Sequence, residues 1–252
     1  MYYSSRMHTI LPELDPYNIL RIEEYLKGKN LAVNEYRNKI GKGRSQCFGM
    51  VRKRSQAADI SRQSWFDPYL HHLLMEFGRM HVPIPFTSVQ VNQNFKCEEH
   101  VDANNSGQSY IVGFGSYQGG DLTLDLSGTK TSVNIRYKPI LFEGWRIPHK
   151  TEDWTGNRFS LVYHTMEPHP KFPPVHSLDD YEAVSVGGKW KLSARFPGQE
   201  VIYLDTKNPL PHPLQGRKTV RKKILTSEEP KMIPGMTAAQ SLLLQAMEHL
   251  KD

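Results

Sequence analysis

Residues 158–166 read RFSLVYHTM. Alternation divides them into two faces, with Arg158, Ser160, Val162 and His164 on one and Phe159, Leu161 and Tyr163 on the other. One face is apolar enough to bury, and the other carries polar groups able to line a cavity. Working upstream, short strands are predicted at Thr87–Phe95, Ser109–Gly115, Leu122–Leu126, Thr131–Tyr137 and Ile140–Phe142. Ser106-Gly107, Gly119-Gly120, Ser127-Gly128 and Thr155-Gly156-Asn157 supply the turns between strands. Gly119-Gly120 in particular reads as a tight hairpin before Asp121 and Leu122.

Ahead of Phe86 the period is helical. Asp15-Pro16 is a cap followed by proline at the first helical position, opening a helix through Ile19, Leu20, Ile22 and Leu26 to Gly28. Asp67-Pro68 repeats the signal before Leu70, Leu73, Leu74 and Phe77, and Pro83 ends that helix. Ser45–Arg52 reads as a strand between the two helices. Helices followed by many short strands predict a mainly β protein with flanking helices (α+β), its core a double-sheet jelly-roll type barrel. The expected organisation is residues 1–85 as a helical buttress with the first strands, 86–167 as the β core and 168–252 as an extension. In the extension, Lys189–Leu192 and Val201–Leu204 read as strands, Pro209–Lys231 as an extended basic segment and Ala238–Leu250 as an amphipathic helix.

Composition narrows the function classes. No apolar run is long enough for a membrane-spanning helix, and MYYSSRMHTILPELDPY at the start lacks the apolar centre of a signal peptide. A soluble intracellular chain is expected, nuclear or cytoplasmic, monomeric by default. Cys47 and Cys97 are the only cysteines and form no CxxC, which excludes a four-cysteine zinc module and makes a disulfide between them the less favoured reading in a cytosolic chain. They are expected to be inert thiols. The net charge of +6 favours an anionic partner. Two runs concentrate it: Arg37–Arg54, with seven basic residues and no acid between them, and Arg217–Lys223. Either these are solvated surfaces, or they are two arms of a phosphate-binding face.

His100-Val101-Asp102 carries the chemistry. Two residues apart at the end of a predicted strand, His100 and Asp102 point their side chains from one face, as two ligands of one metal must. A third ligand has to come from elsewhere, and His149, His164, His169 and His176 are the candidates. His149 is preferred, since it follows a turn at the edge of the β region and precedes Arg158 by nine residues. Two histidines and a carboxylate suit Fe(II) and leave coordination positions open for a bidentate ligand and dioxygen.

HVDANNSGQSYIVGFGSYQGGDL and LFEGWRIPHKTEDWTGNRFSLVYH resemble the two halves of a 2-oxoglutarate/Fe(II) dioxygenase core, over roughly Phe86 to Met166. The resemblance implies a double-stranded β-helix (cupin-like) fold with Fe(II) on His100, Asp102 and His149. It implies 2-oxoglutarate held by Arg158 with help from Ser160, O2 as oxidant and ascorbate as a stimulant. Asn92 and Asn94, alternating on the strand before His100, are further candidates for the 2-oxoglutarate carboxylates.

Within that superfamily the chain looks most like the TET/JBP group of DNA-base oxygenases. Arg158-x-Ser160-Leu161-Val162 and Asp102-x-x-Asn105 match its pattern, and His164 stands where that group has base-contacting residues. The resemblance implies DNA as partner, with Asn105 and His164 as base contacts; what an extruded base needs adds Asn104 as a candidate polar substrate contact and Trp145, Trp154 or Tyr163 as candidate stacking groups. Two features depart from the group: the cysteine-rich region of its animal members has no counterpart, and Met166 stands where a second histidine is usual. The expected activity is oxidation of the 5-methyl group of 5-methylcytosine or thymine in DNA. Two alternatives are a hydroxylase of a peptide side chain or small molecule, as in prolyl hydroxylases, and a non-catalytic nucleic-acid binder.

Overall fold

In the computed structural model of the chain, RFSLVYHTM enters the middle of a seven-stranded antiparallel sheet. The structure describes residues 8–33, 40–52, 57–168, 170–171, 174, 176–195 and 202–204. The strands are β1 (His8–Ile10), β2 (Gly41–Arg52), β3 (Ala58–Ile60), β4 (Ser88–Cys97), β5 (Asn105–Phe114), β6 (Tyr117–Gly119), β7 (Leu122–Leu126) and β8 (Thr129–Val133). Then follow β9 (Ile140–Phe142), β10 (His149–Thr151), β11 (Trp154–Gly156), β12 (Phe159–Met166), β13 (Tyr181–Val186), β14 (Lys189–Ala194) and β15 (Ile202–Leu204). The helices are α1 (Leu20–Lys27), α2 (Arg62–Phe66) and α3 (Pro68–His81). The chain divides into two units, Met1–Asn208 and Pro209–Asp252. The second unit, with the expected basic segment and terminal helix, lies outside the described residues.

Both Asp-Pro signals act as caps. Asp15 accepts from the Tyr17 amide and opens a 3-10 turn leading into α1. Asp67 accepts from the Leu70 amide at the start of α3, and also takes the Tyr25 hydroxyl at 2.7 Å and the Lys29 ammonium at 2.6 Å. One carboxylate thus ties the end of α1 to the beginning of α3.

The large sheet has the order β1-β9-β5-β12-β4-β2-β3. Its two faces follow the alternation of β12. Phe159, Leu161 and Tyr163 join Phe48, Val89, Val91, Val112 and Phe114 in a core that Ile19, Ile22 and Leu26 of the first helical segment and Leu70, Leu73, Leu74 and Phe77 of α3 complete. Full burial of each such side chain contributes roughly 1.5–3 kcal/mol, so the helices are integral to this face. The opposite face meets the smaller sheet β10-β7-β8, with Ile111, Ile140 and Phe142 packed on Leu122, Leu124 and Val133, and Val162 against them. Two antiparallel sheets packed in this way form the expected mainly β, double-stranded β-helix core with flanking helices. A further three-stranded sheet, β13-β14-β15, contributes Tyr181, Ala183, Leu192 and Ala194 to a cluster with Met50, Ile60 and Trp65. No described helix is long and apolar enough to cross a membrane.

Three local departures from the predicted strands bear on the site. First, β4 does not alternate to its end. Lys42 pairs with Lys96 and Arg44 with Gln93, so Gly43 faces both Asn94 and Phe95. Asn94 takes up a left-handed φ of 48°, which asparagine tolerates better than most residues. This bulge resets the alternation, and Asn94 does not share the orientation of Asn92. Second, β4 ends at Cys97, so His100 and Asp102 are not strand-end neighbours. Third, β8 begins directly after the tight Ser127-Gly128 turn and ends at Val133 rather than running to Tyr137. The Asn134 side chain accepts from the Arg136 amide and breaks the strand there.

Candidate metal centre and anion pocket

His100 and His149 form an isolated antiparallel bridge. The His100 amide donates to the His149 carbonyl at 3.1 Å, and the His149 amide to the His100 carbonyl at 2.9 Å. Side chains of such a pair leave the same side of the ladder, and the two imidazoles lie 4.4 Å apart between centroids. Through β10 this bridge adds the His100 segment to the edge of the smaller sheet. Two residues on, Asp102 is fixed at both ends of its peptide: its amide donates to the Gly144 carbonyl and its carbonyl accepts from the Asn105 amide, each at 2.9 Å. The ligand atoms of His100, Asp102 and His149 all lie within 4.8 Å of one another.

Both histidines are set in the tautomer a metal needs. His100 Nδ1 lies 2.8 Å from the Glu98 carbonyl, and His149 Nδ1 lies 2.9 Å from the Ile147 carbonyl. A carbonyl only accepts, so each Nδ1 must carry hydrogen, and each neutral ring keeps its lone pair on Nε2. Those Nε2 atoms face the Asp102 carboxylate at 3.4 Å and 3.8 Å. Without a metal, the carboxylate draws positive charge to the cluster as a proton on His100. Burial pushes His100 down, but Asp102 and Cys97 beside it outweigh burial and raise it to about 10. Burial likewise pushes Asp102 up, yet the His100 hydrogen bond and the charges of His149, His100 and His164 hold it below its ordinary value. Gly144 is the backing: a Cβ there would stand 3.0 Å from Asp102 Oδ2.

Arg158 is the second element. It is only 2% exposed, and Nε donates to the Gly120 carbonyl at 3.1 Å. The sheet formed by β6 and β11 roofs it over, with Tyr117 and Trp154 each 5.5 Å from the guanidinium carbon. Burial pulls its pKa down, offset in part by Tyr117, Cys97 and Asp121. No described acid forms an ion pair with it. Beside it, the inner face of the large sheet carries a polar row. Gln90 Nε2 donates to Ser45 Oγ (2.7 Å), Ser45 Oγ to Asn92 Oδ1 (2.6 Å) and Asn92 Nδ2 to Ser160 Oγ (3.1 Å). The Ser160 hydroxyl, at the end of that row, accepts from Asn92 and keeps its own hydrogen free to donate.

The remaining candidates distribute differently. Asn94 is exposed and works on the backbone: its Oδ1 accepts from the Arg158 amide at 2.8 Å and its Nδ2 reaches Asn157. Asn104 Oδ1 accepts from Arg52 at 2.7 Å, and Arg52 also donates to the Glu167 carbonyl. Asn105 opens β5, half-buried, opposite Met166. His164 is half-buried and close enough to influence Asp102. His176 pairs with Asp180, while His169 lies outside the described residues. Tyr163 cannot stack on a ligand, being fully buried with its hydroxyl on the Leu74 carbonyl. Trp145 is 43% exposed beside Gly144, and Trp154 covers Arg158.

Of the first basic run, Arg44 donates to the Leu31 carbonyl, Arg52 is held by Asn104 and Glu167, and Lys42 is exposed. Arg37, Lys39, Lys53 and Arg54 lie outside the described residues, as does all of Arg217–Lys223.

Two residues at the site escape a reading by motif. Cys97 Sγ lies 3.5 Å and 3.6 Å from the two ring nitrogens of His100, and both cysteines are free thiols. Tyr117 flanks Arg158 from a strand of three residues, too short for alternation to reveal.

No family model matches the chain, and no curated protein does. Among solved structures, the chain is similar to NgTET1 in complex with 5mC DNA, at 16% identity and a TM-score of 0.45 over 64% of this chain and 72% of that one. It is also similar to an oxidoreductase of the 2OG-Fe(II) oxygenase family from Burkholderia pseudomallei, at 15% identity and a TM-score of 0.44 over 64% and 84% of the two chains. A Pseudomonas putida prolyl-4-hydroxylase matches at 14% identity and a TM-score of 0.43, over 65% and 94%.

Proposed function

We propose that the protein is an Fe(II)- and 2-oxoglutarate-dependent dioxygenase, and that its substrate is the 5-methyl group of 5-methylcytosine or thymine in DNA. The observation that carries the first part is one pairing: an open three-ligand cluster beside a buried arginine that no described acid neutralises. A closed structural metal site would show four protein ligands. Two Nε2 lone pairs and one carboxylate fit Fe(II) and leave room on the metal.

His100, Asp102 and His149 would hold the ion, and Fe(II) with 2-oxoglutarate and O2 supplies the oxidation of an otherwise inert C–H bond. The chain's share is positional. Arg158 offers a planar fork for the distal carboxylate of 2-oxoglutarate, with Ser160 as a second donor and Asn92 orienting that serine. Asn94 fixes the peptide from which Arg158 springs. Tyr117 and Trp154 keep water from the guanidinium, which strengthens its hold on an anion.

The DNA assignment rests on the groups at the mouth. His164 and Asn105 flank the Asp102 side, Asn104 stands on the adjoining loop, and Trp145, an exposed aromatic, follows the Gly144 that backs Asp102. A base must leave the duplex to be oxidised, and polar edges with an aromatic face are what an extruded base needs. The charge of +6 supports phosphate contacts.

The test is incubation with Fe(II), 2-oxoglutarate, ascorbate and DNA bearing 5-methylcytosine or thymine, with nucleosides read by mass spectrometry and succinate measured in parallel. Hydroxymethyl or formyl bases, absent with Asp102→Ala, are the expected result. Succinate without base products would keep the dioxygenase and move the substrate to a peptide or small molecule. Binding that weakens steeply with salt would accompany a DNA substrate.

A further inference from the structure

We propose that Gln90 discriminates between methylpyrimidines, its Oε1 accepting from the 4-amino group of 5-methylcytosine and rejecting the 4-carbonyl of thymine; this rests on the DNA reading above. Gln90 stands on the face of β4 that carries Asn92, two residues away. It pairs with Val162, the residue midway between Ser160 and His164 on β12. That spacing sets it about 7 Å along the sheet from the Ser160 row, toward the end where His164 influences Asp102. A polar side chain that is only 8% exposed thus lies on the floor between the co-substrate row and the mouth. Its hydrogen bond runs from Nε2 to Ser45 Oγ at 2.7 Å, and Oε1 has no partner among the described residues. A nearly buried amide oxygen in that position calls for a donor from a ligand.

The neighbours of Gln90 decide which end of the amide the cavity meets. Ser45 Oγ carries one hydrogen and spends it on Asn92 Oδ1. Whatever meets Ser45 from Gln90 must therefore be a donor, so Nε2 lies there and Oε1 is presented away from it. The opposite polarity would run the whole row backwards, with Ser160 donating to Asn92. A carboxylate at Ser160 needs that same hydrogen, so bound co-substrate holds the row in the direction that leaves Gln90 an acceptor. The 5-methyl and the 4-substituent of a pyrimidine are neighbours on the ring, and a pocket that brings one to the metal brings the other in beside it. In 5-methylcytosine the 4-substituent is an amine, a donor; in thymine it is a carbonyl, an acceptor. Thymine would set two acceptors face to face. The amide cannot turn to relieve them without setting Oε1 against Ser45, whose hydrogen is already spent.

The experiment uses the full chain with Fe(II), 2-oxoglutarate and one duplex carrying 5-methylcytosine and thymine in matched sequence contexts. Mass spectrometry of the nucleosides gives hydroxymethylcytosine and hydroxymethyluracil from the same tube, so their ratio compares the two bases under competition. Wild type is expected to favour 5-methylcytosine by at least about tenfold, the cost of one unpaired buried polar group. Gln90→Met keeps the length of the side chain without its acceptor and should bring the ratio down toward parity. Gln90→Glu keeps an oxygen acceptor in place and should retain the preference. Ser45→Ala lets the amide turn and should lower the preference with Gln90 intact, which carries the test if melting curves show Gln90→Met to be unfolded. A wild type that prefers thymine, or a ratio unmoved in both Gln90→Met and Ser45→Ala, overturns the proposal and leaves the DNA reading intact. Loss of preference in Gln90→Glu as much as in Gln90→Met overturns it too, since packing and not the acceptor would then be at work. Succinate without either base product removes the DNA reading, and the proposal with it.

Discussion

His100 and His149 exchange both of their backbone hydrogen bonds, so the two candidate ligands are held by main chain and not by side-chain packing alone. Each also spends its Nδ1 hydrogen on a carbonyl two residues upstream. The rings are aimed before any metal arrives, and the carboxylate between them is the group that gives the cluster its negative charge.

Asp102→Ala should therefore leave the fold and abolish the cluster. Metal affinity is expected to fall by at least about a hundredfold, the upper end of what losing a mere supporting partner costs. Titration with Mn(II) or Co(II), with circular dichroism to verify folding, measures this. Retained affinity would mean that the metal, if bound, sits elsewhere.

Asn94 does two jobs, and two substitutions separate them. Asn94→Gly keeps the left-handed φ and loses the acceptor for the Arg158 amide; Asn94→Ala loses the acceptor and adds steric strain. The alanine variant should be less stable than the glycine variant by about 1–2 kcal/mol, and both should bind 2-oxoglutarate more weakly than wild type. Urea unfolding of the pair gives the difference, and identical midpoints would argue against strain at this position.

Gly120→Ala places a Cβ 2.8 Å from Arg158 Nε at a residue with φ of 70°. The arginine must shift to make room. Affinity for 2-oxoglutarate should drop by at least about tenfold, as for one lost hydrogen bond to a charged group, while Mn(II) affinity holds. A variant that loses both equally would point to collapse of the roof rather than displacement of the arginine.

His71 predicts an acid sensitivity. It is buried in α3 with both ring nitrogens unpartnered among the described residues, and burial, with Arg79 and His72 nearby, pushes it from 6.5 down to about 3. The unfolded chain thus binds the proton more readily than the folded one, so stability from this group is intact above pH 6.5 and lost as pH falls toward 3. Replacing it with leucine should remove about 2–3 kcal/mol of the stability difference between pH 6.5 and pH 4.5. Denaturant midpoints at several pH values test this, and parallel pH profiles for wild type and His71→Leu would refute it.

How far the sequence reached depends on the length of each element. In β12 the alternation of Phe159, Leu161 and Tyr163 against Ser160 and Val162 is strong up to Tyr163, where the register with β5 shifts, and the two faces follow it. Asp15 and Asp67 announced their helices through local chemistry alone. Asn94 was misread because a bulge is a property of two strands: only the register against Gly43 resets the alternation. The strands at Tyr117–Gly119, His149–Thr151 and Trp154–Gly156 each span three residues, too few for any period to show. His100 and Asp102 were paired for the wrong reason, since the bridge to His149 orients them and β4 has already ended. Tyr163 looked available because its aromatic type suits stacking. Its burial follows from the helices laid over that face, which no strand pattern encodes.

The main-chain bridge between His100 and His149 also has a kinetic side. It joins segments far apart in sequence, on either side of β5 to β9, and neither histidine can meet the other until those strands have docked. Contacts of such long reach are made late in folding. A divalent cation seated between them would thus act as a clasp fastened after assembly, slowing the escape from the native state while doing little to hasten its formation.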